Sequence, residues 1–440
     1  STNLPSGVDP SSYLYENGMD CEHLWPQSMY EGSSPMKSDM HHLRPCKSNV
    51  NSSRGNKPFN EINDNLTNTW YWLNNQTSNI PSNNIDEYSE SGSSYFEPRE
   101  ISKMDKFSQY ALIAAREAIT ESGLTFAADD LSLGTCVILG SSIGGVDTMN
   151  DSYKTVFEKK QNKLHPFTIP KIMSNSATSL ISINHNIKGP SFTVSSACSS
   201  SNHAMGLAYE SIKYGRSTVA ITGGSENLLS FGGIKPWESL RVLSPTKCRP
   251  FSRGRNGLIH GEGSGIFVFE NLDHAKRRGA DIIAEVIGFS MSSDASDLIK
   301  PSLNGPERAI RGALKDAKIN LDRVSYINAH GTGTIVNDRI ECTAIKNVFS
   351  VHAKKLKISS TKAMHGHLVG ATGAVELLAC TLSIKKGVIP PTINYIGHDP
   401  LCDLDVVPNT AKESLVDCVL NNSFAFGGMN AVLAIKHFSD

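Results

Sequence analysis

The sequence predicts an α/β protein built from two successive halves, and two observations lead to that prediction. From about residue 104 onward, apolar runs typical of buried strands alternate with stretches of helical spacing, which favours mainly parallel sheets covered on both faces. A second series of strands and helices starts near residue 265, so we expect an internal duplication. At 440 residues the chain is long enough for two or more domain-sized units.

The predicted elements follow in order along both halves. Lys106–Ser122 has the apolar spacing of a helix, and Gly123 is placed to end it. The first half continues with strands at 136–140, 192–194 and 219–224 and a helix at 203–214. The second half is predicted to contain strands at 266–270, 282–290, 324–328, 357–360 and 431–435 and helices at 273–278, 306–317 and 370–385.

Composition and charge exclude several functional classes. The formal net charge is −1 and 19% of the residues are charged, so no basic surface for nucleic acid is expected. The nine cysteines are scattered without Cys-x-x-Cys spacing, which favours a reduced, cytoplasmic setting over a disulfide framework or a zinc site. No run of about 18 apolar residues occurs, so no membrane-spanning helix is expected. The chain begins at Ser1 without a signal-like stretch, and we interpret it as a fragment or a processed form.

One cysteine, Cys198, lies at a predicted strand-to-helix turn. Unpaired backbone N–H groups and the positive end of the helix dipole favour a thiolate there. For a cysteine considered alone, a buried structural thiol is the simpler interpretation. Two histidines in glycine-rich turns, His330 and His367, reverse that preference, because a cysteine with two histidines is typical of covalent acyl transfer.

The two histidines share a strand-loop-helix context. His330 directly follows the predicted strand at 324–328, and His367 lies in a similar turn near Lys362. Either histidine alone is more simply explained as a core or surface residue. Together they predict neutral imidazoles whose N–H groups stabilise an enolate or an oxyanion.

Acidic residues follow both histidines at short distances: Asp338 and Glu341 after His330, and Glu376 after His367. For Asp338, a charge at a helix terminus or on a solvated face remains as good an interpretation as a role in the site. We expect the two glutamates to be buried groups that orient the nearby lysine and the loops.

A glycine-rich segment with two phenylalanines occupies residues 422–428. It is either a plain turn with core aromatic residues or a mobile gate. In the second interpretation, a backbone N–H of this segment completes an oxyanion hole with that of Cys198.

From about residue 65 onward, the chain resembles the β-ketoacyl-acyl-carrier-protein synthases, elongating condensing enzymes of the thiolase-like superfamily. The matching motifs include Met-Asp-Lys-Phe at 104–107, Ser-Ala-Cys-Ser-Ser at 196–200, Cys-Arg-Pro-Phe-Ser at 248–252, Gly-Glu-Gly at 261–263, the histidine turns at 328–334 and 361–367, Pro-Thr-Ile-Asn at 391–394 and the segment at 422–428. The resemblance implies a thiolase-like fold of duplicated α/β/α/β/α layers with an irregular N-terminal extension. It divides the chain into an N-terminal segment at 1–64, a first half at 65–264 and a second half at 265–440.

The resemblance also implies a role for each site residue. Cys198 would accept the acyl chain as a thioester, and His330 and His367 would hold the malonyl carbonyl and stabilise the enolate left by decarboxylation. Lys362 would support the site electrostatically, and Phe426 would gate the acyl pocket while its N–H joins the oxyanion hole. Two histidines, rather than one histidine and one asparagine, fit the elongating type.

The expected partners follow from the same resemblance. Acyl and malonyl groups would arrive on the phosphopantetheine arm of an acyl carrier protein, so no cofactor is required. We expect a homodimer or a heterodimer with a ketosynthase-like subunit, and neither nucleic acid nor membrane as a partner of the main domain.

Finer features resemble the nodulation-protein-E-like branch, which elongates specialised unsaturated chains. They are the segments 237–243, 364–365 and 402–406, and Ala425, which stands where housekeeping enzymes usually carry glycine. Met429, Asn256 and Leu258 depart from the usual threonine, aspartate and phenylalanine, so the substrate preference within fatty acid or specialised polyene and polyketide elongation stays open.

The N-terminal segment does not fit this family. It belongs to the first 100 residues, which contain 14 asparagines and 17 serines, a composition typical of loops. The family's first strand, which ends in Thr-Gly-x-Gly, is not found, and we expect that strand to be central, so that its loss exposes ladder groups.

About 50 residues of this segment resemble the ββα-metal core of the endonuclease I family. The resemblance implies that His23 is a general base and that Glu22 and Asn51 hold Mg²⁺ on a phosphate. A whole nuclease domain is several times longer.

Three alternatives to condensation remain. A non-catalytic or impaired ketosynthase-like subunit is disfavoured by the presence of Cys198 and both histidines. A metal-dependent endonuclease would act through residues 19–56. A thiolase is the weakest alternative, because no second cysteine lies in a C-terminal Cys-x-Gly turn.

Overall fold

The computed structural model describes residues 70–72, 75–77 and 95–439. The predicted metal-binding residues Glu22, His23 and Asn51 lie outside the described residues. The first elements are two short antiparallel strands, β1 (Trp70–Trp72) and β2 (Asn75–Thr77).

The first half of the fold is organised around one sheet. Its strands are β3 (Thr135–Gly140), β4 (Ser191–Val194), β5 (Val219–Glu226) and β6 (Gly263–Glu270). Its helices are α1 (Pro98–Ile101), α2 (Lys106–Ser122), α3 (Asp129–Leu133), α4 (Val146–Tyr153), α5 (Thr168–Ile172), α6 (Ser176–His185), α7 (Ser200–Lys213) and α8 (Phe231–Ser239). Helix α2 has the predicted bounds, because Asp105 caps its first turn and Gly123, with a φ of 68°, ends it.

The second half is organised around a second sheet. The strands of that sheet are β7 (Ala284–Ser293), β8 (Val324–Asn328), β9 (Lys357–Ser359), β12 (Cys418–Phe424) and β13 (Met429–His437), while β10 (Val388–Ile389) and β11 (Lys412–Glu413) form a separate two-stranded sheet. Its helices are α9 (Leu272–Arg277), α10 (Asn304–Ala317), α11 (Ile335–Phe349), α12 (Lys362–His365) and α13 (Thr372–Lys386). In the part of the chain that the structure describes, no helix combines the length and apolar character needed to cross a membrane.

One predicted loop is partly a strand. Residues 422–424 of the segment interpreted as a gate belong to β12, which is buried along its whole length. The polar residues in its middle obscured the strand pattern, but their side-chain NH2 groups have hydrogen-bond acceptors. Asn421 donates to the carbonyl of Gly373 (2.7 Å), and Asn422 donates to Glu341 (3.2 Å).

The two sheets repeat one strand order, so the predicted duplication is confirmed. Neighbouring strands run β4-β3-β5-β6 in the first sheet and β9-β8-β12-β13-β7 in the second. The inner strands are parallel, as predicted, whereas β6 and β13 pair antiparallel with their neighbours. For β13 the reason is the short turn after β12, which can only return the chain in the opposite direction.

The first strand of a half lies at the edge of its sheet. In the second half that strand is β7, which pairs only with β13. The expectation that the family's first strand is central is therefore wrong, because its equivalent position is the outer edge of β6. No strand pairs with that edge among residues 95–439, and the other four strands pair without it.

Helices between and outside the sheets complete the five predicted layers. Helices α7 and α13 contact both sheets, while α2 and α6 cover the outer face of the first sheet. Helices α10 and α11 cover the outer face of the second, where Ile345 and Val348 pack with Ile327 and Leu420. The N-terminal end of α7 is thus in the middle of the molecule.

Candidate active site

Cys198 lies in a tight turn between β4 and α7. Ala197 has a φ of 49°, a left-handed conformation that is strained for any residue with a Cβ. Gly140, at the end of β3, passes so close to the helix that a Cβ there would lie 2.3 Å from the backbone nitrogen of Ser201. The sheet therefore approaches the start of α7 only because this residue is glycine.

The thiol of Cys198 is neutral in the free protein. Burial raises its pKa to about 11, although the charge of Lys362 and the backbone N–H groups of Phe426 and Cys198 act in the opposite direction. The prediction that the turn favours a thiolate is therefore wrong, because desolvation outweighs the charge of Lys362 and the two N–H groups. The two N–H groups that converge on the sulfur are suitable donors for an oxyanion.

His330 follows β8 and is held by a carboxylate from the next helix. Glu341, on α11, accepts hydrogen bonds from the backbone N–H groups of His330 (2.8 Å) and Gly331 (2.7 Å). Glu341 is completely buried, and burial raises its pKa to about 7. The imidazole of His330 has its pKa well below the usual value, because burial and the charge of Lys362 both disfavour the cation.

His367 is fixed in one tautomer by the turn that follows it. Its Nδ1 accepts the backbone N–H of Val369 (3.1 Å) and lies 2.8 Å from the hydroxyl of Thr372. Val369 has a φ of 44°, which is rare for a β-branched residue and directs its N–H at the ring. The proton of the neutral imidazole is therefore on Nε2, and burial holds the pKa of His367 well below its usual value.

The fold brings the cysteine and the two histidines together. One ligand atom of each of Cys198, His330 and His367 lies within 4.8 Å of the other two, and all three residues are buried. The imidazole rings are 5.5 Å apart and nearly perpendicular.

This set of three side chains could ligate a metal by residue type, but its surroundings favour N–H donation. A metal-binding histidine usually donates its second N–H to an acceptor. His367 instead accepts an N–H at Nδ1, and His330 Nδ1 has no hydrogen-bond partner among the described residues.

Lys362 and Glu376 lie next to the histidines as a completely buried ion pair. Burial raises the pKa of Glu376, and the ammonium group of Lys362 opposes that shift. Burial lowers the pKa of both histidines, and the same ammonium group lowers it further, so the imidazoles stay neutral.

Asp338 connects two loops behind His330. Its carboxylate accepts the backbone N–H groups of Phe251 (2.8 Å) and Gly333 (3.2 Å) and lies 3.7 Å from Arg255. The side chain is completely buried, so the alternative of a solvated helix face is wrong. Burial raises its pKa to about 6.

Phe426 follows β12 in the short turn Phe426–Gly428. Its ring stacks on Trp237 of α8, with centroids 5.9 Å apart and an interplanar angle of 22°. Trp237 also packs against the apolar cluster that contains Cys198 and Ala425.

Two site residues were missed at the level of sequence. Glu226, at the end of β5, is completely buried and accepts the N–H groups of Ser142 (2.6 Å) and Gly370 (3.1 Å), which ties two loops together. An acidic residue at the end of an apolar strand was a usable signal. His260 lies 3.2 Å from the carbonyl of His367, a contact over 107 positions that no local pattern indicates.

Three family models match the chain. The N-terminal domain of β-ketoacyl synthases matches residues 74–275, and the C-terminal domain matches residues 283–396. Endonuclease I matches residues 7–110, which ends inside α2.

Two relatives are similar to this chain over most of its length. Nodulation protein E of Rhizobium leguminosarum bv. trifolii is 45% identical, with 77% of this chain and 84% of that protein covered. The 3-oxoacyl-[acyl-carrier-protein] synthase 2 of Staphylococcus aureus (strain N315) is 40% identical, with 78% and 84% covered.

Two solved structures of ketosynthases are also similar to this chain over most of its length. The ishigamide ketosynthase/chain length factor is 35% identical with a TM-score of 0.74, covering 79% of this chain and 87% of that chain. A type II polyketide ketosynthase in complex with its acyl-carrier protein, AntDE:AntF, is 31% identical with a TM-score of 0.71, covering 76% and 85%.

Proposed function

The chain belongs to the β-ketoacyl synthase family, acyltransferases that elongate an acyl thioester by decarboxylative condensation, and we propose that Cys198, His330 and His367 perform this reaction. The observation that carries the proposal is the buried convergence of their ligand atoms within 4.8 Å. A non-catalytic subunit has no need for this arrangement.

In the first half-reaction, Cys198 takes the acyl chain from the carrier. Its sulfur attacks the thioester carbonyl, the bond from that carbon to the pantetheine sulfur breaks, and the departing sulfur takes the proton that the thiol loses. His330 is suited to transfer this proton, because no partner among the described residues fixes the tautomer at its Nδ1. The N–H groups of Cys198 and Phe426 bind the transient oxyanion.

In the second half-reaction, the histidines act on the malonyl thioester. The bond to the carboxylate breaks, carbon dioxide leaves, and the electron pair moves onto the thioester oxygen as an enolate. His367 donates its Nε2–H to that oxygen, and His330 supplies a second neutral donor. The enolate carbon then attacks the acyl carbonyl on Cys198, and the thiolate that leaves takes up a proton.

The remaining buried groups hold this arrangement in place. Glu341 and Asp338 position the loop of His330, and burial together with the charge of Lys362 keeps both imidazoles neutral so that they remain donors. Phe426 gates the acyl pocket. Substrates arrive on the phosphopantetheine arm of an acyl carrier protein, and the reaction requires no metal.

A homodimer would use the free edge of the first sheet. Strand β4 is the terminal strand of its sheet in the described part of the chain, and Phe192 on it is 42% exposed. Ile183, on the adjacent helix α6, is 75% exposed. Paired β4 edges from two copies would cover these apolar side chains and satisfy the open backbone groups. A ketosynthase-like subunit of the kind named in the ishigamide structure could occupy the same edge.

Mass spectrometry tests the proposed function. The protein is incubated with acyl- and malonyl-carrier protein, and both the acyl adduct on Cys198 and the β-ketoacyl product are measured. Cys198→Ala should form neither. Cys418→Ala, which removes an equally buried thiol from β12, should form both. If Cys198→Ala makes as much product as the parent, the proposal is wrong.

A further inference from the structure

Trp237 contacts both the gate residue and a histidine that the proposed chemistry does not use. One side of its ring stacks on Phe426. The ring also meets His260 in an edge-to-face arrangement, with centroids 4.5 Å apart at 74°. A displacement of Phe426 therefore removes support from a ring that also packs against His260.

His260 is joined to the main chain at His367. The segments pair as a short bridge, in which the N–H of His367 donates to Ile259 (2.6 Å) and the N–H of Gly261 donates to His367 (3.1 Å). The Nδ1 atom of His260 lies 3.2 Å from the same His367 carbonyl. A carbonyl only accepts hydrogen bonds, so Nδ1 carries the proton and donates it.

The ring of His260 is weakly held, because its other nitrogen, Nε2, forms no hydrogen bond with the described residues. Its Nε2 must be the bare acceptor, and it is buried with no hydrogen-bond partner among residues 95–439. Burial lowers the pKa of His260 to about 4, so the ring stays neutral and keeps this tautomer. Its orientation therefore depends on one hydrogen bond to His367 and on the contact with Trp237.

An acyl group on Cys198 must disturb the contacts that connect Phe426, Trp237 and His260. The thiol is only 5% exposed and packs with Val146, Leu228, Val369 and Ala425. The N–H of Phe426 also points at the sulfur. An acyl chain bonded to the sulfur needs the space next to these contacts, and Phe426 is the gate among them, so acylation moves Phe426 away from its stack on Trp237.

We propose that Trp237 is a positioning residue that links the acyl pocket to His367 through His260, so that malonyl decarboxylation is favoured only once Cys198 carries an acyl chain. The inference rests on the proposed function of Cys198 and His367. Its consequence is that the free enzyme avoids the idle decarboxylation of malonyl thioester.

The test compares two rates in the full chain. Release of carbon dioxide from malonyl-carrier protein is measured without an acyl donor and is divided by the rate of condensation with one. Trp237→Ala and His260→Leu should raise this ratio about fivefold, the lower end of typical coupling between sites. The conservative variants Trp237→Phe, which keeps a stacking ring, and His260→Asn, which keeps an N–H donor, should restore the parent ratio.

Phe231→Ala is the matched control. This residue lies on the same helix α8, is aromatic and is 50% exposed, so its loss should leave the ratio unchanged. The proposal is overturned if the ratio stays within about twofold of the parent in both test variants, or if Phe231→Ala raises it equally. A parent that forms no acyl adduct on Cys198 would instead refute the proposed function.

A second readout does not require a change at Trp237. The chain has four tryptophans, and changing Trp25, Trp70 and Trp72 to Phe leaves Trp237 as the only indole. Acylation of Cys198 should then change the emission of Trp237. An emission spectrum that is identical before and after complete acylation would overturn the proposal even if Trp237→Ala did not fold.

Discussion

Lys362 and Glu376 form an ion pair in which neither side chain is exposed. The lysine comes from the short helix α12 and the glutamate from α13, so the pair joins the two elements on either side of His367. A buried pair of this kind is destabilising to break, because the remaining charge has no partner and no water.

Removing the carboxylate should therefore unfold the protein at lower denaturant concentration. We expect Glu376→Gln to reduce the free energy of unfolding by about 3–5 kcal/mol. Glu238→Gln, which breaks the solvent-accessible pair with Lys235, should change it by less than about 1 kcal/mol. Chemical denaturation measures both variants, and equal effects would mean that burial of the pair is not what stabilises it.

The raised pKa of Cys198 predicts slow alkylation at neutral pH. With a pKa of about 11, the thiolate fraction at pH 7 is about 1 in 10,000, so the rate with iodoacetamide should rise about tenfold per pH unit from pH 7 to 10. Labelling of Cys198→Ala gives the background from the other thiols. A rate that reaches a plateau below about pH 9 would show a thiolate stabilised by the helix terminus instead.

Both histidines should be required after acylation, and His330 should also speed acylation itself. We expect His367→Ala to form the acyl adduct on Cys198 at the parent rate and His330→Ala to form it more slowly, while carbon dioxide release falls about hundredfold or more in both. Intact-protein mass spectrometry and a carbon dioxide assay separate the two steps. His352→Ala, which removes a partly buried histidine bonded to Val324, should leave both steps unchanged. Normal decarboxylation in either test variant would contradict the assigned roles.

Glu341 should make the protein less stable as pH rises. Burial raises its pKa from 4.5 to about 7, so between these values the folded state holds a proton that the unfolded state has released. Protonated Glu341 therefore stabilises the folded protein relative to ionised Glu341. This contribution to the free energy of unfolding is fully present below about pH 4.5 and is lost as pH rises to about 7, by at most about 1.4 kcal/mol per pH unit.

The check is a set of denaturation curves between pH 5 and 8 for the parent and for Glu341→Gln. Subtracting the unfolding free energy of Glu341→Gln from that of the parent at each pH removes the contributions of the other buried acids and histidines. The difference in unfolding free energy should depend on pH over the predicted range. A difference that is independent of pH would mean that Glu341 is ionised in the folded protein throughout.

The local sequence was sufficient to predict a site residue wherever one short segment contains both that residue and the strand or helix that positions it. Cys198 and His330 each lie in a turn between a strand and a helix, and His367 lies in the turn between α12 and α13. Those turns were predicted from glycines and apolar runs within about ten residues. Strand β12 was missed because the asparagines that occupy its middle bond to Asn202, Gly373 and Glu341, which are remote in the chain.

Tertiary packing reversed two other expectations. The family's first strand was expected at the centre of its sheet, but strand order depends on pairing between distant segments, and its counterpart in the second half, β7, lies at an edge. The thiol of Cys198 was expected to ionise, but its pKa depends on how completely the surrounding layers exclude water.

The sequence by itself determined the chemistry of this protein: a cysteine, two histidines and a lysine in motifs that identify an elongating ketosynthase. Only the tertiary structure decided the surroundings of these residues: the neutral thiol, the tautomer of His367 and the contacts of Trp237 with Phe426 and His260. The physical reason is that desolvation and contacts between distant segments arise only when the two sheets and the helices between them are packed.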